Sequence, residues 1–371
     1  MKYGVIEEGF VHRCPQEGPE SVAGTSRCAI SAGGDILCSF MLQSGLGIND
    51  FLPCIARSSD GGSTWKMQGP VWPHLRGKYS MNPSIGRGPQ GDLLLFGSST
   101  PITRPGEPFW NEQAGGMLQN DLIWSRSSDE GHTWIEPQPV PIPLSGAAET
   151  PAPICVTRAG RWLGPYSPHR TTDRTLNVDL HHVVVMVSDD EGQSWTHTSM
   201  IRVMQEDSAV AEAWVAELSD GVLLGTCWHV RRGEGDDYPN AFALSSDGGD
   251  SWFPTASTTI RGQSTGLAAW REGMALFTYN QRRHDTPGVW LAVAKPSDTD
   301  FGIQANQIVW HATVPTQKGG STKLDNWTSF AFGEPSVTVL ADDTLLVVFW
   351  CIQPDGRGIR FVKVRLAGSL V

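Results

Sequence analysis

Short runs of apolar residues, each ended by a polar or glycine-rich turn, follow one another along the chain. Runs such as Cys54 to Arg57 and Val183 to Val187 have the length and composition of strands. Little of the sequence shows the three-to-four-residue spacing of an amphipathic helix, and no apolar run reaches the roughly 18 residues that would cross a membrane. The pattern predicts an all-β protein built from many short strands.

An eight-residue pattern, Ser-x-Asp-x-Gly-x-Thr/Ser-Trp, directly follows four of these runs. The four copies end at Trp65, Trp134, Trp195 and Trp252. Each copy is typical of a hairpin turn, in which Asp accepts hydrogen bonds from its own loop, Gly supplies a positive φ and Trp packs against the strands. We therefore expect structural roles for these Asp and Trp residues.

A longer repeat, in which a short turn joins two apolar strands, divides the chain into six units. The units start at Arg27, Asn82, Glu149, Glu212, Ser264 and Glu334. Each unit is long enough for four short strands, and six such units predict a six-bladed β-propeller that occupies residues 1–371 as a single domain. The last unit lacks one strand, and we expect the stretch from Tyr3 to Val11 to supply it and close the ring.

Charge and cysteine content narrow the function classes. With 28 Lys and Arg against 39 Asp and Glu, the net charge is −11, which argues against a nucleic-acid partner or an anionic membrane. The seven cysteines show no metal-ligand or disulfide spacing. The N-terminal residues lack the apolar stretch of a signal peptide, so we expect a cytoplasmic protein.

The four turn motifs resemble the Asp-boxes, or BNR repeats, of the sialidase (neuraminidase) superfamily, and the six-unit register extends this resemblance over essentially the whole chain. The resemblance implies a propeller whose binding face carries the starts of the innermost strands and the ends of the second strands. Asp-boxes also occur in proteins that resemble exo-arabinanases, in propeller lyases and in non-catalytic assembly factors.

The resemblance selects acids, arginines, histidines and aromatic residues for that face, a composition that suits a saccharide or an anionic sugar. The acids expected to be catalytic are Glu212, Glu334, Asp50 and Glu149. The residues expected to bind substrate are Arg27, Asn82, Tyr166, His169, Arg170, Trp228, His229, Arg231, Tyr279, Arg282 and His284.

Three roles of true sialidases could apply to this chain. The segment from Ser26 to Ile30 keeps the Arg that binds the substrate carboxylate in sialidases, although it lacks the Pro of their Arg-Ile-Pro element. Asp50 matches the position of the general acid. Glu212 lies in a segment that resembles the one holding the Glu that activates the nucleophile.

Two departures favour a different sugar or mechanism. The strand after Glu212 ends in Trp228 and His229 where a sialidase has its second Arg, and Glu334 stands where the nucleophilic Tyr would start the sixth unit. Three inward glutamates suit a glycosidase that works with a pair of carboxyl groups. Relatives that resemble exo-arabinanases pair glutamates on neighbouring blades, and Glu149 and Glu212 could form such a pair.

We therefore expect a sialidase-like glycoside hydrolase that removes a terminal, acidic sugar from a glycan. The alternatives are a polysaccharide lyase acting on a uronate through a His or Tyr base, and a non-catalytic glycan-binding propeller. No metal or other cofactor is expected, because the histidines show no HxH or HxxxH spacing. The long segments Pro101 to Asn120 and Thr313 to Trp327 are expected to shape the rim of the pocket or a subunit contact in a homo-oligomer.

Overall fold

The computed structural model, which describes residues 2–317 and 324–367, contains six antiparallel sheets arranged around one axis and one separate two-stranded sheet. Strands β1 to β7 are Lys2–Arg13, Val22–Ile30, Ile36–Gln43, Leu52–Ser58, Lys66–Pro70, Tyr79–Arg87 and Leu93–Pro101. Strands β8 to β14 are Trp110–Asn111, Gly116–Met117, Asp121–Ser127, Gln138–Val140, Ala147–Glu149, Cys155–Val156 and Trp162–His169.

The second half of the chain continues the pattern. Strands β15 to β20 are His182–Ser188, Thr196–Arg202, Ser208–Glu217, Leu223–Arg231, Ala241–Ser245 and Phe253–Ser257. Strands β21 to β27 are Gln263–Ala269, Ala275–Gln281, Gly288–Ala294, Ile303–His311, Phe332–Val339, Leu345–Gln353 and Gly356–Ala367. In the described residues, helical turns are limited to the 3-10 segments Pro73–Leu75, Pro89–Gly91, Arg271–Gly273 and Leu324–Ser329.

Each of the six sheets around the axis is one blade of the propeller, β8 and β9 form the separate two-stranded sheet, and the prediction of a six-bladed fold is confirmed. Blades 1 to 6 have the strand orders β2-β3-β4-β5, β6-β7-β10-β11, β12-β14-β15-β16, β17-β18-β19-β20, β21-β22-β23-β24 and β25-β26-β27-β1. In blade 3 the innermost strand is split, and β13 also pairs with β14. The N-terminal strand β1 pairs antiparallel with β27, so it closes the ring as predicted.

The core of the molecule lies between neighbouring blades. Six hydrophobic clusters each combine side chains of two adjacent blades, as where Val183 of blade 3 packs with Val210 of blade 4. The four repeated turns lie at the outer strands. In the first, Asp60 accepts hydrogen bonds from Ser58 Oγ (2.8 Å) and Thr64 N (2.9 Å), Gly62 has a φ of 84°, and Trp65 donates to the Gly62 carbonyl (3.0 Å). The inner strands are thereby left free to carry functional side chains.

Candidate functional site

A cavity of about 400 Å³ opens at one end of the propeller axis. Its floor is formed by residues of the innermost strands and includes Glu149, Glu212 and Glu334 from blades 3, 4 and 6. A volume of this size is typical of small-molecule sites. Three carboxyl groups therefore line one cavity.

Irregularities in the inner strands place two of these glutamates. The registers of β17 and β25 shift at Glu212 and at Glu334, and both residues have a φ of 52°. Thr25 in β2 and Ser264 in β21 have the same left-handed backbone, with φ of 48° and 58°. Such a φ is strained for a residue with a side chain, and a bulge turns that side chain away from the ordinary pleat. The bulges point these side chains toward the axis.

Each glutamate accepts hydrogen bonds from the next blade around the ring. Glu149 Oε2 accepts from the main-chain N–H of Glu212 (2.7 Å). The carboxylate of Glu212 accepts from Ser264 Oγ (2.7 Å) and from the N–H of Thr265 (3.1 Å). Glu334 Oε2 accepts from the N–H of Thr25 at 2.9 Å. These bonds fix the carboxyl groups in position and tie neighbouring inner strands together.

The surroundings of two glutamates favour their protonated forms. Burial, and then the charge of Glu212, raise the pKa of Glu149 well above its usual range. Burial, and then the charge of Glu334, raise the pKa of Glu212 to about 7, although its bond from Ser264 opposes this. Desolvation and a neighbouring like charge both disfavour a carboxylate. At neutral pH the pair can hold one acid and one base.

Two buried arginines partly balance these acids. Arg27 lies behind the floor, where it donates to the carbonyls of Pro151 (2.8 Å) and Glu334 (2.9 Å). Arg282 lines the cavity and donates to the carbonyl of Phe332 at 3.1 Å, while its Nη1 is buried and has no hydrogen-bond partner in the described part of the chain. Burial lowers the pKa of Arg282 to about 9, against the charges of Glu212 and Glu334. The unpaired N–H groups of Arg282 suit an anionic ligand group.

The rim of the cavity carries further arginines. Arg170, Arg231 and Arg232 contribute to its wall. Arg231 is held by Asp207 at 3.2 Å and stacks over the ring of Tyr238. Partial desolvation, and then the like charge of Arg170, lower the pKa of Arg232. Neighbouring cations at a cavity mouth attract anions.

Comparison with known proteins assigns this chain to a family. A profile described as the BNR repeat-like domain matches residues 54–302, about two thirds of the chain. The chain belongs to the BNR repeat-like family. This result confirms the resemblance to the sialidase-like BNR superfamily. No curated protein sequence matches the chain.

Solved structures share the fold. A protein of unknown function from Dyadobacter fermentans is 18% identical, with a TM-score of 0.75 over 98% of this chain and 99% of that one. The NanB sialidase from Streptococcus pneumoniae is 13% identical, with a TM-score of 0.64 over 96% of this chain and 70% of that one. An α-L-arabinanase from Penicillium chrysogenum, complexed with arabinobiose, is 17% identical, with a TM-score of 0.64 over 99% and 100%. At these identities the likeness is one of fold.

The structure brings together many of the residues selected from the sequence. Besides the three glutamates, the cavity is lined by Asn82, His169, Arg170, Trp228, Arg231 and Arg282. Burial lowers the pKa of His169 to about 4, so this ring is neutral at pH 7. The selected positions come from five of the six blades, as expected for the end of a propeller axis.

Six selected residues do not line the cavity. They are Asp50, Arg27, Tyr166, His229, Tyr279 and His284. Asp50 accepts a hydrogen bond from Ser44 Oγ (2.6 Å) within its own loop. The bulge of β2 falls at Thr25, so Arg27 occupies the register of Trp214 in blade 4, two residues beyond the glutamate position.

The pleat explains why His229 lies outside the cavity. Successive side chains of a strand point to opposite faces, so Trp228 reaches the cavity while His229 stacks on Tyr238. Tyr166 packs between blades 2 and 3. Tyr279 packs between blades 4 and 5 and donates to Asn306 at 2.8 Å. His284 lies beside Asp236 instead of the cavity.

Sequence reasoning missed one acid of the site. Asp237 lines the cavity and is 5% exposed, although the charged run from Arg231 to Asp237 predicts a solvated rim loop. Burial raises the pKa of Asp237, while the N–H of Arg231 donates to it at 3.1 Å. The adjacent Asp236 is exposed and pairs with Arg283. Nothing in the run distinguishes these two acids.

The sequence also gave no sign of the aromatic wall. Phe51, Phe109, Trp110, Trp228, Trp327, Phe330 and Trp350 line the cavity, and of these only Trp228 was selected. The prediction that the Pro101 to Asn120 segment shapes the rim is confirmed at Phe109, Trp110 and Met117. In the Thr313 to Trp327 segment, Trp327 lines the cavity, and residues 318–323 lie outside the described part.

Within the described ranges, no three His, Cys, Asp or Glu side chains form a group that could hold a metal ion. The helices of the described residues include none that is long and apolar enough to span a bilayer.

Proposed function

We propose that the chain is a glycoside hydrolase that removes a terminal, acidic sugar. The observation that carries this proposal is the pair formed by Glu149 and Glu212, which are held on neighbouring blades by the 2.7 Å bond between them and both have raised pKa values. A glycosidase needs one carboxyl group that donates a proton and one that attacks or activates water. Glu149 and Glu212 supply two carboxyl groups that suit these roles.

The two glutamates have different surroundings, which suggests their roles. The carboxylate of Glu212 accepts hydrogen bonds from Ser264 and Thr265, and these bonds stabilise its charged form. Glu149 lies beside Glu212, and burial and the charge of Glu212 raise its pKa well above the usual range. We therefore assign proton donation to the leaving oxygen to Glu149, and the role of nucleophile or base to Glu212. Two carboxyl groups suffice for this chemistry, so it requires no cofactor.

The guanidinium groups support an acidic substrate. Nη1 of Arg282 is buried without a partner, and Arg170 and Arg232 lie together on the rim. A carboxylate on the sugar can accept hydrogen bonds from such groups in a geometry that fixes the ring. The fold shared with a sialidase and an arabinanase is compatible with this proposal.

A panel of reporter glycosides tests the proposal. The panel includes sialic acid, keto-deoxy sugars, glucuronate and arabinofuranose, and we expect release of the reporter from an acidic sugar. Glu149→Gln should lose much more activity on an alkyl glycoside than on a reporter with an acidic phenol, because a good leaving group needs no proton donor. Glu212→Gln should lose activity on both.

Three results would contradict the proposal. A product with the ultraviolet absorbance of an unsaturated uronate would indicate a lyase. No turnover on any glycoside, with binding preserved in Glu212→Gln, would indicate a non-catalytic binding propeller. Equal losses for Glu149→Gln on alkyl and phenyl substrates would refute the assigned role of Glu149.

A further inference from the structure

The wall of the cavity is divided into two arcs of different chemistry. Blades 3 to 5 contribute most of its charged groups, among them Glu149, Glu212 and Arg282. Apart from Glu334 on the floor, blades 6, 1 and 2, with their connecting segments, contribute an apolar arc. The side chains of this apolar arc that matter here are Leu46, Phe51, Phe109, Trp110, Trp327 and Phe330.

The apolar arc is built into the fold. Phe109 N donates to the carbonyl of Gly47 in blade 1 (2.7 Å), and Met117 N donates to the carbonyl of Arg170 in blade 3 (2.9 Å). The β8–β9 hairpin is therefore tied down on both sides of blade 2. The rings of Phe51 and Phe109 lie 5.3 Å apart. A wall fixed in this way loses little conformational freedom when a ligand binds.

Close packing also holds Trp327 in the arc. A Cβ placed on Gly47 would lie 2.9 Å from Trp327 Cη2, and Gly47 has a φ of 86°. Glycine at position 47 thus allows both the turn and the approach of the indole. Trp110 and Trp327 remain only half-buried. Half-buried aromatic rings that face a cavity are typical of a surface that binds an apolar group.

The apolar arc is poorly suited to a second sugar. Among the described residues on its side of the cavity, polar side chains are few: Thr25, Asn82 and Ser98, and Glu334, whose carboxylate is already hydrogen-bonded to Thr25. A further sugar unit would bring several hydroxyl groups, and burying a hydroxyl without a hydrogen bond is unfavourable. An alkyl or aryl group has no hydroxyl, so its burial carries no such cost.

We infer that the apolar arc binds an apolar leaving group, so that the substrate is an alkyl or aryl glycoside of an acidic sugar. This inference rests on the proposed function. The acidic sugar lies on the charged arc, the glycosidic oxygen lies at Glu149, and the aglycone lies against Trp110 and Trp327. The arc thus determines specificity for the leaving group.

Binding of two matched ligands tests the inference without requiring turnover. We would titrate the Glu212→Gln variant with methyl and n-hexyl β-D-glucuronide by calorimetry. The longer chain buries several more methylene groups, so the hexyl compound should bind about tenfold tighter or more. Trp110→Ala and Trp327→Ala, each added to Glu212→Gln, should remove most of this preference. Phe253→Ala, which truncates a 70% exposed ring on the outer strand β20, is the control and should keep it.

The outcomes separate this inference from the proposed function. Hexyl preference that is lost in the tryptophan variants, with no hydrolysis of any glycoside, supports the apolar subsite and refutes hydrolysis. Hydrolysis with equal binding of the two ligands overturns the subsite, as does a failure of both ligands to bind. Preserved thermal unfolding of each variant shows that its effect is local.

Discussion

Blade 4 carries two acids whose surroundings are opposite. Asp247 lies in the exposed turn between β19 and β20, where hydrogen bonds from Ser251, and then from Ser245, lower its pKa to about 2. Glu212 lies at the bulge of β17, where burial, and then Glu334, raise its pKa to about 7. The two carboxyl groups belong to one sheet, yet they favour different protonation states.

The difference shows what each region of the propeller requires. In the turn, donors surround an acid that stays in contact with water, so the charged form is stabilised and closes the loop. At the axis, burial and neighbouring acids outweigh the hydrogen-bond donors, so Glu212 retains a proton up to near neutral pH. Acids of the outer turns therefore stabilise the fold, whereas acids of the axis are suited to proton transfer.

The largest expected effect is on catalytic activity, which should depend on the acid at the axis and not on the acid of the turn. Glu212→Gln should lower kcat/KM for a cleaved reporter glycoside about 10²- to 10⁴-fold, because it removes a group that takes part in the reaction. Asp247→Asn, in the same blade, should leave kcat/KM within about twofold of the wild type. Steady-state kinetics on both variants provides the measurement, and equal losses would refute the division between turn and axis.

The arginine at the axis should contribute more to the free energy of unfolding than the arginine beside the outer turns. Arg27→Met removes the buried cation near all three glutamates, and we expect the free energy of unfolding to fall by about 3–5 kcal/mol. Arg161→Met removes a guanidinium that pairs with Asp189 and Asp250 beside the turns, and should lower it by about 0–1 kcal/mol. Urea unfolding of both variants measures the contrast, and a cost for Arg161→Met as large as that for Arg27→Met would contradict it.

The pH dependence of stability should have opposite signs for the two acids. Glu212 has a raised pKa in the folded protein, so the fold binds more protons than the unfolded chain between about pH 4.5 and 7, and this group lowers stability as pH rises through that window. Asp247 has a lowered pKa, so its contribution is present above the unfolded value near 4 and is lost as pH falls toward 2.

The pH dependence of Tm in two variants distinguishes the contribution of Glu212 from that of Asp247. Glu212→Gln should flatten the decline of Tm between about pH 4.5 and 7, whereas Asp247→Asn should flatten only the acid limb. A Tm profile of Glu212→Gln parallel to that of the wild type across the neutral window would show that Glu212 ionises normally.

A small effect on stability is also expected in the turn itself. Asp247→Asn weakens the bonds from Ser245 Oγ (2.7 Å) and Ser251 N (3.0 Å), and we expect a loss of about 1 kcal/mol in the free energy of unfolding. Urea unfolding at neutral pH measures this loss. A loss above about 3 kcal/mol would indicate that the turn contributes more to the core than its exposure suggests.

The fold could be predicted from the sequence because the same turn and strand patterns recur along the chain. Four turn motifs and six strand pairs mark the period, and the missing strand of the last unit indicated the closure by β1. Glu149, Glu212 and Glu334 could also be placed, because they start units of the sequence repeat, and equivalent positions of the inner strands meet at the axis.

The remaining features of the site depend on local geometry and long-range packing. A bulge at Thr25 shifts Arg27 by two residues, and alternation along a strand turns His229 away beside Trp228. Trp110 reaches the cavity only because its hairpin docks on neighbouring blades. Turn and strand patterns carry no information on such contacts, so the aromatic wall could not be predicted.

The ionisation of Glu212 tests the account most directly. We would label the glutamate carboxyl carbons with ¹³C and follow their resonances from about pH 3 to 9, using Glu212→Gln to assign the signal. The account predicts one glutamate resonance that titrates near pH 7 and is absent from the variant. A Glu212 resonance that titrates near its usual value, about 4.3, would contradict it.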